Sequence, residues 1–174
     1  MSRNRSADAI RKAAATGTDG EVIDLERYVP ALITFIANKL SRSATVLYQK
    51  RFGVNVTEWR ILVLLAIEPG IPASRICHVI GFDKGPVSRT LSIMQARGLV
   101  AIRTDPKDGR THSISLTPKG RAIHDDIMVV ALERERVLLG CLQKEEREVL
   151  IKLLVRVHGN LAAVTDHAAP GDID

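Results

Sequence analysis

Between Gly98 and Gly120 the chain spells out a helix end, a tight hairpin and a new helix start. Gly98 suits the left-handed position that closes a helix, Asp108-Gly109 is a strong pair for a hairpin tip, and Thr117-Pro118 reads as N-cap followed by N1. Val100 to Arg103 and Thr111 to Leu116 between them are rich in β-branched residues, which predicts two short antiparallel strands. The tip carries Lys107 and Arg110 and has little apolar surface to bury. Such a hairpin cannot fold alone, so it must lean on the helices around it, and its cations are left free to touch something anionic.

The charge distribution agrees. The 174 residues carry a formal net charge of +5, but residues 75–121 hold +6 of it while residues 122–174 carry −4. A basic block beside an acidic helical tail is the footprint of a nucleic-acid binder, with a generally solvated basic face as the competing reading. Cys77 and Cys141 are the only cysteines and both fall in apolar helical patterns, so they read as small hydrophobes in a reducing cytoplasm and not as a secreted disulfide framework. Arg3 and Arg5 are followed by Ala, Asp and Thr instead of an apolar stretch, so no signal peptide is expected, and the longest apolar run, Ile61 to Ile67, is too short to span a bilayer.

Residues 1–20 show no sustained apolar face and read as a flexible arm, and residues 166–174 as a flexible tail. Residues 21–52 are expected to form a dimerisation helix, with Tyr28, Leu32, Ile36, Leu40, Ala44 and Leu47 at helical spacing. Within the expected DNA-binding domain, residues 53–120, Thr57 reads as the N-cap of a helix through Ile67, and Glu68-Pro69-Gly70 as its stop. Pro72 to Ile80 then reads as a short helix closed by Gly81, and Asp83 as the cap of a fourth helix reaching Arg97. Two short helices joined by Gly81-Phe82 have helix-turn-helix proportions. Residues 121–165 are expected to hold C-terminal dimerisation helices: a seam of Ile123, Ile127, Val130, Arg134, Val137 and Cys141, and one last helix bearing Val149, Leu150, Leu153, Leu154, Val157, Leu161 and Val164. The predicted class is mainly α with a small antiparallel β-wing, a winged helix-turn-helix domain flanked by dimerisation helices. More apolar surface lies on those helices than one small core can cover, so a two-fold homodimer is expected.

On the fourth helix Lys84, Ser88, Arg89 and Ser92 are expected to face outward while Val87, Leu91 and Met94 face the core. Arg bonds guanine O6 and N7 bidentately, Ser bonds bases or phosphates, and a helix N-terminus favours phosphate. In the hairpin, Arg110 suits a minor groove, Asp108 both shapes the turn and can hold the Arg110 guanidinium, and Lys107 neutralises phosphate. No nucleophile elbow or phosphate-binding glycine loop occurs, and His124-Asp125-Asp126 splays around a helix as a solvated turn would, so no catalysis is expected. The five histidines are scattered without metal-ligand spacing, so neither metal nor cofactor is expected.

Thr57-Glu58-Trp59-Arg60 before an apolar helix, the Lys84 to Arg89 stretch, Arg97-Gly98-Leu99-Val100, the Asp108 and Arg110 pair, and Leu116-Thr117 before Gly120 resemble the MarR family of bacterial transcription regulators. The resemblance covers roughly residues 28–165. It implies a winged-helix homodimer that binds a pseudo-palindromic double-stranded DNA operator, most often as a repressor. It further implies release of DNA by a small effector such as an aromatic acid or its coenzyme A thioester, bound between the dimerisation region and the DNA-binding lobe. In this chain Phe35, Ile36, Lys39, Leu40, Arg42, Ser43, Trp59 and Ile61 could line that pocket, with Lys39 or Arg42 facing an anionic group; the same apolar residues also read as plain core. A winged-helix module that binds protein and no longer touches DNA is the alternative, and the retained Lys84, Arg89, Lys107 and Arg110 set weighs against it.

Overall fold

In the computed structural model, residues 22–104 and 112–167 are described. They fall into two units, one ending at Ile127 and one beginning at Met128. The first holds α1 (Val29–Phe52), α2 (Val56–Ile67), α3 (Ala73–Ile80), α4 (Lys84–Ala96), β1 (Val100–Thr104), β2 (His112–Leu116) and the opening turns of α5 (Pro118–Leu138). The second holds the rest of α5, a 3-10 turn (Leu139–Cys141), α6 (Lys144–Gly159) and α7 (Leu161–Thr165). None of the described helices is long and apolar enough to cross a membrane.

The core of the first unit forms around α2. Its Ile61, Leu62 and Leu65 are fully buried, as the unbroken apolar run predicts, and Ile76, Val87, Met94, Leu99, Ile114 and Ile127 close around them from the neighbouring elements. The N-cap of α2 is Asn55 and not Thr57. Asn55 accepts from the backbone N–H groups of Thr57 and Glu58, while the Glu58 carboxylate reaches back to the Asn55 N–H, a complete capping box. Two orphan donors and the cap's own N–H are satisfied this way, which Thr57 could not achieve without a Glu or Gln three residues on.

Asp83 does stand at the N-cap of α4, but its side chain makes no capping bond. Gly98, at φ +69°, closes that helix, and the Leu99 N–H returns to the Met94 carbonyl at 2.9 Å. The chain then enters β1, which pairs antiparallel with β2 from Val100 opposite Leu116 to Thr104 opposite His112. A third rung that local patterning does not show comes from the link between α2 and α3. The Ile114 N–H donates to the Ile71 carbonyl at 3.0 Å and the Gly70 N–H to the Ile114 carbonyl at 2.9 Å, tying the wing base to the helix-turn-helix.

Thr117 caps α5 as expected, its Oγ1 accepting from the Gly120 N–H at 3.0 Å and donating to the Gly98 carbonyl at 2.6 Å. His124 is not in a solvated turn. It is 7% exposed, because Gly120, His124 and Ile127 recur at the four-and-three spacing of the inward face of α5. In the second unit two expectations change. Cys141 lies in the 3-10 turn and is exposed, so it does not continue the seam on α5 as a packed hydrophobe, and the last helix breaks at Asn160 into α6 and α7. Among the described side chains of residues 128–167 none is buried.

Candidate nucleic-acid interface

The outward face of α4 is built by exclusion. Val87, Leu91 and Met94 are buried, and the helical repeat leaves Lys84, Ser88, Arg89 and Ser92 exposed. Pro86 is tolerated in the first turn, where its missing N–H has no intrahelical acceptor to serve. Neither Lys84 nor Arg89 is paired with a carboxylate among the described residues. Lys107, Asp108 and Arg110 lie outside the described residues; β1 ends at Thr104 and β2 begins at His112, and there Thr104 Oγ1 and His112 Nδ1 are 3.2 Å apart.

Both ends of this helix are held. At its C-terminal end the Arg97 guanidinium donates from Nη1 to Glu58 Oε1 at 2.7 Å and from Nη2 to the Gly53 carbonyl at 2.7 Å. Lys119 Nζ donates to the Arg97 carbonyl at 2.9 Å. Before its N-terminal end, the ring of Phe82 lies 5.7 Å below the Arg60 guanidinium, which also donates to Ser41 Oγ of α1 at 3.0 Å. Thus two arginines tie α4 and the turn before it to α1 and α2, and Lys119 ties its C-terminal end to α5. Neither role was visible in sequence. Arg60 does carry a signal, as the one charge inside the apolar stretch from Trp59 to Ile67.

The α2 and α3 helices form an open groove of about 420 Å³ lined by Trp59, Arg60, Val63, Leu64, Ile67, Val79 and Ile80. Of the residues expected around an effector, Trp59 lines it. Phe35, Ile36, Lys39, Arg42 and Ser43 are exposed along α1, Leu40 is half-buried, and Ile61 is fully buried in the core. Trp59 is firmly seated, with Tyr48 edge-on at 6.0 Å and the His124 ring stacked on it at 5.4 Å. His124 Nδ1 sits 2.7 Å from Asp125 Oδ1, which orients the imidazole against the indole.

The MarR family model matches residues 52–111, a span that contains α2, α3, α4 and β1. The uncharacterised HTH-type transcriptional regulator YdgJ of Bacillus subtilis (strain 168) is 27% identical over 149 residues, 84% of this chain and 89% of that protein. Among solved structures, a MarR/EmrR family transcriptional regulator from Acinetobacter sp. ADP1 is 30% identical, superposes with a TM-score of 0.76, and covers 81% of this chain and 99% of its own. The PcaV transcriptional regulator of Streptomyces coelicolor, crystallised with its natural ligand, is 25% identical with a TM-score of 0.66, over 80% of this chain and 98% of its own. With a helix-turn-helix, a wing base and nearly the whole length of the Acinetobacter regulator in common, this chain belongs to the MarR family of transcriptional regulators, proteins that control transcription and are not enzymes.

Proposed function

We propose that this regulator is a homodimer that binds a pseudo-palindromic operator in double-stranded DNA, represses transcription there, and lets go when a small aromatic acid or its coenzyme A thioester binds. The observation that carries the DNA reading is the exposed, carboxylate-free pair Lys84 and Arg89 on a helix whose other face is buried and whose two ends are braced. Lys84, Ser88, Arg89 and Ser92 would enter a major groove, and Lys107, Asp108 and Arg110 would take the wing to phosphate and the minor groove. Among the described residues no carboxylate has to be displaced from either cation before a phosphate can take its place.

Binding to a DNA fragment selected from a random pool should fall steeply with salt, because each neutralised phosphate releases condensed counterion. Arg89→Ala and Arg110→Ala should each weaken it by about 1–3 kcal/mol at fixed salt. Affinity unchanged in both variants would remove the DNA reading and favour a protein-binding module.

The dimer reading rests on exposed apolar surface. Tyr28, Val29, Ile33 and Ile36 stand exposed along the first half of α1, and in the second unit Val149, Leu153, Leu154, Val157, Leu161 and Val164 do the same. Patches of this extent mark association surfaces. Sedimentation at micromolar concentration should give one species of twice the chain mass, and a monomer there would reject the dimer.

The effector reading rests on the groove beside Trp59, concave and largely apolar as small-molecule sites are. PcaV, a transcriptional regulator that this chain resembles in fold, holds its natural ligand in the crystal.

A further inference from the structure

We propose that Arg60 is the carboxylate anchor of the groove, and that an effector which captures it signals to the DNA-reading helix by drawing the guanidinium away from Phe82. The proposal rests on the reading of the groove as the effector site. Arg60 is half-buried and lines the groove, yet among the described residues it has no carboxylate partner. A guanidinium offers five donors, and here one bond, to Ser41 Oγ, is made. Two of the acids nearby are already engaged. Glu58 holds Arg97 and the Asn55 N–H, and Glu68 is gripped at both oxygens by Arg75 at 3.0 and 2.9 Å. Asp83, next to Phe82, is exposed at the start of α4.

The remaining lining is hydrocarbon and indole: Trp59, Val63, Leu64, Ile67, Val79 and Ile80. A wall of this kind, with one guanidinium at its rim that no described carboxylate pairs, selects a compact apolar body bearing a single carboxylate. Lys39 and Arg42, the cations expected for this role, line no part of the groove.

The coupling follows from what Arg60 now holds. Its guanidinium bridges Ser41 on α1 and the ring of Phe82, and Phe82 is the residue before the N-cap of α4. A carboxylate that turns the guanidinium inward takes away both contacts, loosening the α3–α4 turn relative to α1 and α2. The ligand would therefore bind more tightly to the arrangement in which Phe82 is released, the differential affinity that any release mechanism requires.

The test uses 4-tert-butylbenzoate and its neutral amide as probes, with binding followed by calorimetry and by fluorescence of Trp59, the only tryptophan in the chain. The full-length protein should bind the acid about tenfold or more tightly than the amide, reflecting a charge-assisted bidentate pair. Arg60→Met, checked for an unchanged circular dichroism spectrum, should bind both equally, and Arg60→Lys should restore part of the preference. On selected DNA, the acid should release the unaltered protein but not Phe82→Leu, although that variant still binds the acid. Equal affinity for acid and amide, or an Arg60→Met protein that keeps the preference, overturns the anchor while leaving the groove as a binding site. If Phe82→Leu is released as readily as the unaltered protein, the route through Phe82 is overturned. If neither probe perturbs Trp59, or Val63→Trp fails to block binding, the groove reading falls and the anchor with it.

Discussion

Arg97→Leu is expected to lower the free energy of unfolding by about 3 kcal/mol, the low end of the cost of stranding one member of a buried ion pair. Glu58 is 3% exposed and its carboxylate receives the Arg97 guanidinium at 2.7 Å. The leucine stem fills part of the space but supplies no donor. Glu58 would keep only the Asn55 N–H, and the Gly53 carbonyl would lose the Nη2 donor that now meets it at 2.7 Å. Water can enter from the Arg97 side, whose side chain is 34% exposed, which is why the upper end of the range is not expected. Urea unfolding at fixed protein concentration reads the effect as a lower midpoint with unchanged slope.

A double-mutant cycle with Glu58→Gln separates the pair from the packing. The coupling energy should exceed about 1 kcal/mol, since the two groups touch and share a buried network. A coupling near zero would mean that Arg97 stabilises through its stem alone. The pair also matters to function by position. It ties the C-terminal end of α4, the helix proposed to read DNA, to the junction between α1 and α2, 39 residues earlier in the chain, and so resists rotation of that helix about its own end.

Why this pair escaped sequence reading while the helix ends did not is a matter of range. Gly53, Gly81 and Gly98 close their helices, and Thr117 caps α5, through bonds to residues a few positions away, so for these roles their neighbours in sequence are their neighbours in space. Asn55 and Thr57 are both competent caps, and the Glu three residues after Asn55 decides between them through the reciprocal bond. By contrast, Glu58 meets Arg97 and Trp59 meets His124 only after the fold has closed. Hydrophobic spacing shows that such residues lie on a buried face, but not what lies opposite. His124 reads as solvated because it stands beside two aspartates, yet its phase with Gly120 and Ile127 turns it inward and leaves Asp125 outside. For the site, the exposed row on α4 was legible because its buried complement was. The groove was less so: Trp59 stood out as an aromatic on α2, whereas Arg60 gains its meaning from Ser41 and Phe82, on two other elements.

Gly120→Ala should destabilise the protein by about 2–3 kcal/mol, the upper part of the range for overpacking, because the neighbour is unyielding. The sign is the informative part, since replacing glycine by alanine inside a helix ordinarily stabilises by about 1 kcal/mol. At Gly120 a Cβ would overlap the Leu99 carbonyl oxygen and stand 2.9 Å from its carbonyl carbon. Those atoms are backbone and cannot swing aside as a flexible side chain would. Nor can they retreat cheaply, because the same Leu99 carbonyl accepts the Thr117 N–H at 3.1 Å and the residue beside it opens the wing strand. The first turn of α5 would have to lift off β1, breaking the Thr117 bonds to Gly98 and Leu99 that set where the hairpin leaves the helical core. The folded fraction should therefore also bind selected DNA more weakly, although position 120 offers DNA no side chain. Gly159→Ala provides the control within the same chain: at the last residue of α6, with nothing within 4 Å of the added carbon, it should leave stability unchanged or raise it slightly. Equal midpoints for the two variants in urea would show that α5 can slide away from Leu99 without cost, and the close approach would then not be what seats the wing.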